Sequence, residues 1–458
     1  MKQIFLGVGG GLVSGLLILG LLFLGPLAPA PETPAASDTP SAQPEATITT
    51  TPEPTIEPTE EPTEEPVVCS VSELEQAEEI LSLQAEVIDA ASGTVLFERD
   101  SGIPERSASV LKLFTAAAAL ETLGADYRVT TRVYVDVVDP SVIYLVGAGD
   151  VTLSRTGAGT NSVYRNAPKL SDLVRQISQA LPGQELSRIV LDSTIYGKPQ
   201  GEYQDVWDRR GLTDGYMSYV SALQVDGDRD QPNILSSPRS TSPVQRAGVW
   251  FKESLGAGAV NAELVIGTAP ADAVEIAKVQ SAPMSTWIDY MLTVSDNTLA
   301  EAMARLVSLD VGLDGSFASL TQTFQRALRG TGLDLSGIKI ADGSGLSREN
   351  RISPELVNDL LELVSDGYGA FELIETGMPV SGTPGSLSAR FEGAVGKVVA
   401  KTGWIRTGYT LAGFLFPEDG SKLIFTVYNI GDVTLANRDA MDALVAGFYD
   451  CGLNLVDR

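Results

Sequence analysis

The feature that most constrains the fold of this chain is the position of its clearest strand patterns, which lie at the two ends of the region that can fold. Near the start, residues 85–89 and 94–98 flank a glycine-containing turn, as expected for a strand–turn–strand unit. Near the end, Tyr409–Phe416 and Leu423–Ile430 are strand-like, and a helical pattern follows at about Asn437–Tyr449. Helical patterns lie between the two groups. We therefore expect one sheet built from both chain ends and interrupted by an insert.

The region between these ends has its own strand and helix patterns. A strongly apolar helix is predicted from Ser109 to Leu123, followed by strands at Tyr127–Val137 and Val142–Val146. Two more helical patterns cover about Met284–Thr293 and Asn297–Leu309. A structureless loop of the intervening length would be unusual. We therefore predict an inserted domain at 127–281 and an outer domain formed by 69–126 and 282–458.

Two segments of different composition precede the folding region. Ile4–Leu24 carries no charge and is long enough to cross a ~30 Å hydrocarbon layer as a helix. Residues 1–24 could be a retained transmembrane anchor or a cleaved signal, because Ala28-Pro29-Ala30 offers small residues near a cleavage point. Residues 25–68, rich in Pro, Thr and Glu, are predicted to be a disordered linker. Either alternative predicts an extracytoplasmic location, anchored to the cell membrane or secreted.

Charge and residue usage exclude several classes of function. The net charge of −27 argues against a nucleic-acid partner, which requires a basic face. The chain has no histidine, which removes Ser-His-Asp and Cys-His nucleophile systems and imidazole metal sites. A catalytic base would have to be a lysine or a carboxylate, and no metal or organic cofactor is implied. The two cysteines, Cys69 and Cys451, could be buried thiols or a disulfide formed in an oxidising compartment.

A candidate hydroxyl nucleophile lies beside a lysine in Ser109-Val110-Leu111-Lys112. The i, i+3 spacing places both side chains on one face of a helix. Ser109 would lie at the helix start, where unpaired N–H groups favour developing negative charge. Burial could lower the pKa of Lys112 and free its amine to act as a base. Ser336 and Lys339 have the same spacing, but their strand-like surroundings favour a structural role.

Two further triplets make the first one specific. Ser295-Asp296-Asn297 falls at a junction between two predicted helices, and Lys401-Thr402-Gly403 falls just before a predicted strand. S-x-x-K, S-D-N and K-T-G in this order are the signature of serine β-lactamases and penicillin-binding proteins.

Longer stretches narrow the resemblance. The sequence resembles the D-alanyl-D-alanine carboxypeptidase/endopeptidase family of class C low-molecular-mass penicillin-binding proteins, the serine DD-peptidases, from about Leu83 to the final helix. The matching stretches are Ala108–Leu120, Gly147–Leu153, Val220–Gly227, Asp342–Pro354, Met378–Leu387 and Ala400–Gly413. The resemblance implies an α+β fold of the serine β-lactamase/transpeptidase type, an antiparallel sheet covered by helices, with an inserted second α/β domain.

The family implies roles for the matching positions. Ser109 would be the nucleophile that attacks the carbonyl between two D-alanines, and Lys112 would take its proton. Ser295 would relay a proton to the leaving amine, Asn297 would hold the substrate backbone, and Lys401 would supply positive charge for the substrate carboxylate. The Thr402 hydroxyl, Gly403 and Trp404 would line the substrate, with the backbone N–H groups of Ser109 and Trp404 as the oxyanion hole. The partners implied are peptidoglycan stem peptides, with β-lactams as acylating inhibitors.

The sequence departs from the family pattern at two places, and two other functions are possible. After K-T-G the family usually has a small hydroxyl residue, whereas this chain has Trp404, so a side-chain contact to the substrate carboxylate is lost. Only Asp228–Pro243 separates the V-D-G stretch from the next helix, so we expect the nested third domain of the family to be missing. A serine β-lactamase and a non-catalytic wall-binding protein are the alternatives. The E-x-x-L-N loop of class A β-lactamases has no match, since Glu355–Asn358 has the wrong spacing.

Overall fold

A computed structural model describes residues 69–456 of the chain. The predicted anchor or signal at 1–24 and the predicted linker at 25–68 lie outside the described residues. Within 69–456, none of the helices has both the length and the apolar character that crossing a bilayer requires.

The secondary structure consists of strands and helices in the following ranges. The strands are β1 (Leu83–Asp89), β2 (Val95–Arg99), β3 (Thr130–Val135), β4 (Val142–Val146), β5 (Arg188–Asp192), β6 (Glu263–Ile266), β7 (Val274–Gln280), β8 (Val398–Ile405), β9 (Gly408–Leu415) and β10 (Leu423–Ile430). The helices are α1 (Ser72–Glu75), α2 (Lys112–Thr122), α3 (Leu170–Ala180), α4 (Arg210–Thr213), α5 (Pro243–Leu255), α6 (Met284–Val294), α7 (Asn297–Asp310), α8 (Leu320–Ala327), α9 (Pro354–Ser365), α10 (Glu372–Gly377) and α11 (Leu435–Cys451).

The first sheet is assembled from both ends of the described chain. Its order is β2-β1-β10-β9-β8 with antiparallel pairing throughout, so the first hairpin lies beside the last one. Side chains alternate between its faces: Phe414 packs against the core that contains α2, α6 and α7, while Leu415 packs against α11. Both faces are therefore covered by helices, which confirms the predicted antiparallel sheet between helical layers.

The second sheet uses strands that all lie between Thr130 and Gln280. Its order is β6-β5-β4-β3-β7; β4, β5 and β6 run parallel, whereas β3 pairs antiparallel with β4 and β7. Apolar residues of α3 and α5 form a separate core with this sheet. Between Arg229 and Ser242 the chain forms a loop with one bridge, Arg229 to Arg239. The domain boundaries proposed from the sequence stay a prediction.

The two cysteines form a disulfide, which decides between the two alternatives that the sequence left open. Cys69 is bonded to Cys451 at the end of α11, with 5.4 Å between the Cα atoms. The Cys69 N–H also donates to the Asn454 carbonyl at 3.0 Å. The bond therefore ties the beginning of the described chain to its last helix.

Candidate active site

The segment around Ser109 begins with strained backbone. Ala108–Leu111 forms a 3₁₀ turn that runs into α2, so the predicted helix starts as 3₁₀ rather than as α-helix. Ala108 has a φ of +44°, a region that non-glycine residues rarely adopt. A β-carbon on Gly345 would overlap the Ala108 carbonyl oxygen, so only glycine allows this close approach. The turn is thus held from outside, as strained functional segments commonly are.

The S-D-N triplet forms the junction between α6 and α7. Ser295 ends α6 in the left-handed conformation, with a φ of +60°. Asp296 is the N-cap of α7, and its side chain accepts from the Leu299 N–H at 2.9 Å. Asn297 is the first residue of α7. The sharp change of direction between the helices brings Ser295 and Asn297 to the same cleft.

The K-T-G triplet lies within a strand, whereas its sequence pattern had predicted a position just before one. Lys401, Thr402 and Gly403 belong to β8, the edge strand beside β9. The Ala400 N–H donates to the Pro379 carbonyl at 3.0 Å and therefore points away from β9. Since N–H directions repeat every second residue in a strand, the Trp404 N–H points to the same side. A polar triplet with glycine weakens the strand pattern, which explains the error.

Lys112 is fully buried behind Ser109 and makes three polar contacts. Its Nζ lies 2.9 Å from Ser109 Oγ, 2.7 Å from Asn297 Oδ1 and 2.6 Å from the Ser344 carbonyl oxygen. Burial lowers the pKa of Lys112 to about 8, although Asp342, Glu301 and Asp296 oppose the shift. A measurable fraction of this amine is therefore neutral near pH 7.

Lys401 is the second fully buried lysine. Its Nζ donates to Ser295 Oγ at 2.9 Å and to the Thr402 carbonyl at 2.7 Å. Burial lowers the pKa of Lys401 well below its usual value, and the charges of Lys112 and Arg390 lower it further. The Thr402 hydroxyl donates to Ser386 Oγ at 2.8 Å. Lys401 can thus reach the cleft through the Ser295 hydroxyl.

The predicted site residues meet at one cleft of about 850 Å³. Its lining includes Ser109, Ser295, Asn297, Thr402, Gly403 and Trp404, while Lys112 and Lys401 lie buried behind it. The Trp404 side chain is 56% exposed. Although the chain is strongly acidic, five arginines line this cleft against two aspartates. The arginines are Arg210, Arg348, Arg390, Arg406 and Arg438, and the aspartates are Asp208 and Asp214.

Sequence reasoning did not find three residues that contact the motifs of the site: Glu301, Trp207 and Arg229. Glu301 accepts from the Gly343 and Ser344 N–H groups at 3.0 and 2.8 Å, and Asp342 accepts from Trp207 Nε1 at 2.8 Å. Glu301 follows Asn297 by four residues, so the i, i+4 rule could have placed both on one helix face. Arg229, which contacts Asp296 Oδ2 at 2.8 Å, gave no such signal.

Comparison with known sequences shows which family this chain matches. The profile of the D-Ala-D-Ala carboxypeptidase 3 (S13) family matches residues 69–245 and 230–448. A carboxypeptidase DacB of Mycolicibacterium smegmatis is 32% identical over 373 residues, which cover 80% of each chain. A D-alanyl-D-alanine carboxypeptidase of Actinomadura sp. strain R39 is 29% identical, with 79% of this chain and 80% of the relative covered.

A solved structure supports the fold. The crystal structure of penicillin-binding protein 4 from Haemophilus influenzae superposes with a TM-score of 0.70 at 19% identity. The match covers 82% of this chain and 99% of that one. A second crystal structure of that protein, complexed with a β-lactam, gives a TM-score of 0.65 at 18% identity, with 82% and 99% covered. The predicted α+β transpeptidase-like fold is confirmed.

Proposed function

This chain belongs to the D-Ala-D-Ala carboxypeptidase 3 (S13) family, and we propose that it is a serine-type D-Ala-D-Ala carboxypeptidase/endopeptidase. It would hydrolyse peptidoglycan stem peptides through an acyl-enzyme on Ser109, and β-lactams would acylate the same residue. The observation that carries the proposal is the contact between Ser109 Oγ and Lys112 Nζ. The lysine is fully buried, 2.9 Å from the hydroxyl, with a pKa lowered to about 8.

The acylation step begins with a proton transfer. As Ser109 Oγ bonds to the carbonyl carbon between the two D-alanines, its proton passes to Lys112 Nζ. The carbonyl electron pair moves onto the oxygen. The backbone N–H groups of Ser109 and Trp404 would hold this oxyanion. Ser109 lies in the first turn of a helix, where N–H groups have no partner within the helix. Removing one such donor typically costs about 10²–10³ in rate.

The leaving group departs when the C–N bond breaks. Its nitrogen takes a proton from the Ser295 hydroxyl, and Lys401, which contacts Ser295 at 2.9 Å, returns a proton to that oxygen. Lys112 then releases to solvent the proton it took from Ser109, and Lys401 regains one from solvent, so that Lys112 is neutral for the next step. Asn297, with its amide oxygen on Lys112 and its amide nitrogen on the Tyr216 carbonyl at 2.9 Å, is fixed at the wall along which the substrate backbone would lie. The hydroxyls of Ser109 and Ser295 thus each have a lysine as a proton partner.

Hydrolysis of the acyl-enzyme completes the cycle. A water molecule adds to the ester carbon while neutral Lys112 takes its proton. The C–O bond to Ser109 then breaks, and the serine oxygen is protonated again. If the leaving group is a single D-alanine the activity is that of a carboxypeptidase, and if it is a second stem peptide the activity is that of an endopeptidase.

The charge of the cleft fits such substrates. The stem peptide ends in a carboxylate, and two of the five cleft arginines, Arg348 and Arg406, form no ion pair within the described residues and could attract it. The other three, Arg210, Arg390 and Arg438, are paired with aspartates. Trp404 removes the hydroxyl that the family usually places after K-T-G. Carboxylate recognition would then depend on the Thr402 hydroxyl and on Lys401, acting through Ser295.

The test is covalent labelling with penicillin followed by mass spectrometry. The unmodified protein should gain one penicillin on the peptide that contains Ser109 and should release D-alanine from a D-Ala-D-Ala stem peptide. Ser109→Ala should do neither while keeping its fold. Rapid penicillin turnover would indicate a β-lactamase instead. Peptide binding without labelling would indicate a non-catalytic wall-binding protein.

Action on peptidoglycan places this family outside the cytoplasm. We propose that residues 1–24 direct the chain there as an anchor or a cleaved signal. The Cys69–Cys451 disulfide supports an oxidising compartment. Fractionation of the producing cell, with the mass of the mature N-terminus, distinguishes a membrane-bound from a secreted form.

A further inference from the structure

The D-G-S-G segment, residues 342–345, is the motif to which the proposed function assigns no role. We call it the DGSG loop. It packs directly under the nucleophile turn. A β-carbon on Gly343 would lie 2.9 Å from the Ala300 carbonyl oxygen of α7, and Gly345 lies against the Ala108 carbonyl. The Thr115 hydroxyl of α2 donates to the Gly343 carbonyl at 2.7 Å. The loop is therefore wedged between α2 and α7, the helices that carry the two sides of the site.

We infer that the DGSG loop orients the amine of Lys112, and that Glu301 is the positioning residue which holds the loop for this purpose. This inference rests on the proposed function, because it assigns a task within the same proton transfer. Its central observation is that the Ser344 carbonyl oxygen lies 2.6 Å from Lys112 Nζ.

The donors and acceptors around Lys112 Nζ show how the loop could orient the amine. A neutral amine has two N–H donors and one lone pair. The oxygens of Asn297 and Ser344 can only accept, so they take the two N–H groups. The lone pair is then left for the third neighbour, the Ser109 hydroxyl, which is the only one of the three that can donate. With the Ser344 carbonyl displaced, the amine could rotate and direct its lone pair elsewhere.

Glu301 fixes the Ser344 carbonyl from behind. Its two carboxylate oxygens accept one N–H each, from Gly343 at 3.0 Å and from Ser344 at 2.8 Å. Glu301 is fully buried and lies one helical turn after Asn297, so α7 supplies the side-chain acceptor of Lys112 and the anchor of its backbone acceptor. One rigid helix thereby sets both directions in which the amine can donate.

Asp342 anchors the same loop from its other end. Its carboxylate accepts from the Gly345 N–H at 2.8 Å, the Ser347 N–H at 2.6 Å and Asn350 Nδ2 at 2.8 Å, in addition to Trp207.

The charged groups that face Lys112 come from three elements. Asp296 and Glu301 belong to the cap and body of α7, Asp342 belongs to the DGSG loop, and Lys401 approaches from β8. The three carboxylates raise the pKa of Lys112 against the effect of burial. Burial raises the pKa of Glu301 to about 7, so its charge is largely present at the pH where Lys112, with a pKa of about 8, loses its proton. Removing that charge should therefore move the acid limb of the acylation profile to lower pH, an effect that misfolding alone would not produce.

The experiment uses the full chain and measures the rate constant of acylation by fluorescent penicillin from pH 5 to 9. Glu301→Gln replaces one acceptor by an NH₂ group that must face a backbone N–H. Acylation should slow by about 10–100-fold, the size expected when a reacting group is misplaced by up to 1 Å. Saturation kinetics should place the loss in the limiting acylation rate rather than in penicillin affinity, and the acid limb should move to lower pH.

Two more variants make the result decisive. Glu301→Asp keeps the charge but shortens the side chain, so acylation should slow with a smaller movement of the acid limb. This variant also replaces Glu301→Gln if the latter does not fold. Glu86→Gln is the matched control: Glu86 is a buried glutamate on β1 that pairs with Asn358 and does not line the cleft, so acylation should keep the unmodified rate.

The outcomes separate the inference from the proposed function. If the unmodified protein is not labelled at all, the proposed function fails. If the unmodified protein is labelled, and Glu301→Gln and Glu301→Asp acylate at its rate with its pH profile, the role of Glu301 is refuted while the proposed function stands. A lower labelled fraction with an unchanged rate constant and an unchanged profile would also refute it, since that pattern indicates misfolding alone.

Discussion

Replacing Arg229 by methionine should destabilise the protein strongly and in a pH-dependent way. Arg229 Nη2 lies 2.8 Å from Asp296 Oδ2, with the two side chains 1% and 3% exposed. Nη1 also donates to the Tyr164 hydroxyl at 2.8 Å. Methionine has a similar length but leaves the carboxylate buried without its main partner. Breaking a buried pair in this way typically costs about 3–5 kcal/mol.

The pH dependence follows from the pKa of Asp296. Burial alone would raise this pKa, but Arg229 and Arg239 outweigh burial and hold it below its usual value. Without Arg229, the effect of burial is no longer outweighed, and the pKa of Asp296 in the folded state rises. A group with a raised folded-state pKa contributes stability at low pH and loses it as the pH rises through that value. The Arg229→Met penalty should therefore be smaller at pH 5 than at pH 8.

Urea unfolding followed by tryptophan fluorescence measures the penalty, with penicillin labelling as a second probe of the folded site. Adding Asp296→Asn to Arg229→Met should recover part of the loss, because the amide carries no charge. Arg188→Met is the matched control, since Arg188 and Glu263 form a pair with side chains 51% and 63% exposed, worth less than about 1 kcal/mol. A loss below 1 kcal/mol at pH 8, or equal losses at both pH values, would refute the reasoning.

Four further predictions concern the two buried lysines, Glu86 and the disulfide. Lys112→Ala should slow penicillin acylation by about 10²–10⁴-fold without changing the melting temperature greatly, and a normal rate in stopped-flow labelling would reject it as the base. Lys401→Ala should reduce the preference for a peptide ending in a free carboxylate over its amide, measured as the ratio of kcat/KM values. Burial raises the pKa of Glu86 to about 7, so the protein becomes less stable as the pH rises through that value. In urea titrations Glu86→Gln should therefore be more stable than the unmodified protein at pH 8, by about 3 kcal/mol at most, and similar to it at pH 4. Replacing Cys69 and Cys451 by serine should lower the free energy of unfolding by about 2–5 kcal/mol, and equal urea midpoints for the two proteins would contradict this.

The sequence was most informative where local pattern and tertiary packing agree. The strand at Leu423–Ile430 is buried along its whole length and is rich in β-branched and aromatic residues, so its bounds were predicted correctly. The helix pair around Ser295 was predicted because apolar periodicity stops there and a capping aspartate follows. The strand β8 was missed because Lys401, Thr402 and Gly403 break the strand pattern for chemical reasons, which is where local rules are expected to fail.

The long-range contacts of the site were beyond sequence reasoning. The order of the three triplets predicted which residues would meet, and their arrangement around one cleft agrees with that expectation. The contact between Lys112 and Ser344 joins positions that are 232 residues apart through a backbone carbonyl. Any residue type can supply a backbone carbonyl, so the sequence does not indicate which residue will act as such an acceptor. The sequence of the DGSG loop fits a plain tight turn as well as a loop near the site, so it did not indicate this contact.

The chain between α2 and α6, which contains the second sheet, supports the site although none of the proposed proton-transfer residues belongs to it. Three of its residues end on the motifs: Arg229 on the S-D-N aspartate, the Tyr216 carbonyl on the S-D-N asparagine at 2.9 Å, and Trp207 on the DGSG loop at 2.8 Å. Each contact orients a group that, in turn, contacts or flanks a partner of Lys112. A buried amine with a lowered pKa is useful as a base only if its lone pair has one available target, and such orientation requires fixed acceptors on every other side. We therefore expect substitutions of Arg229 and Trp207 to slow acylation, because their side chains hold residues next to the acceptors of Lys112. A substitution of Tyr216 should have a smaller effect, because its contact is made by the backbone carbonyl and remains in the variant.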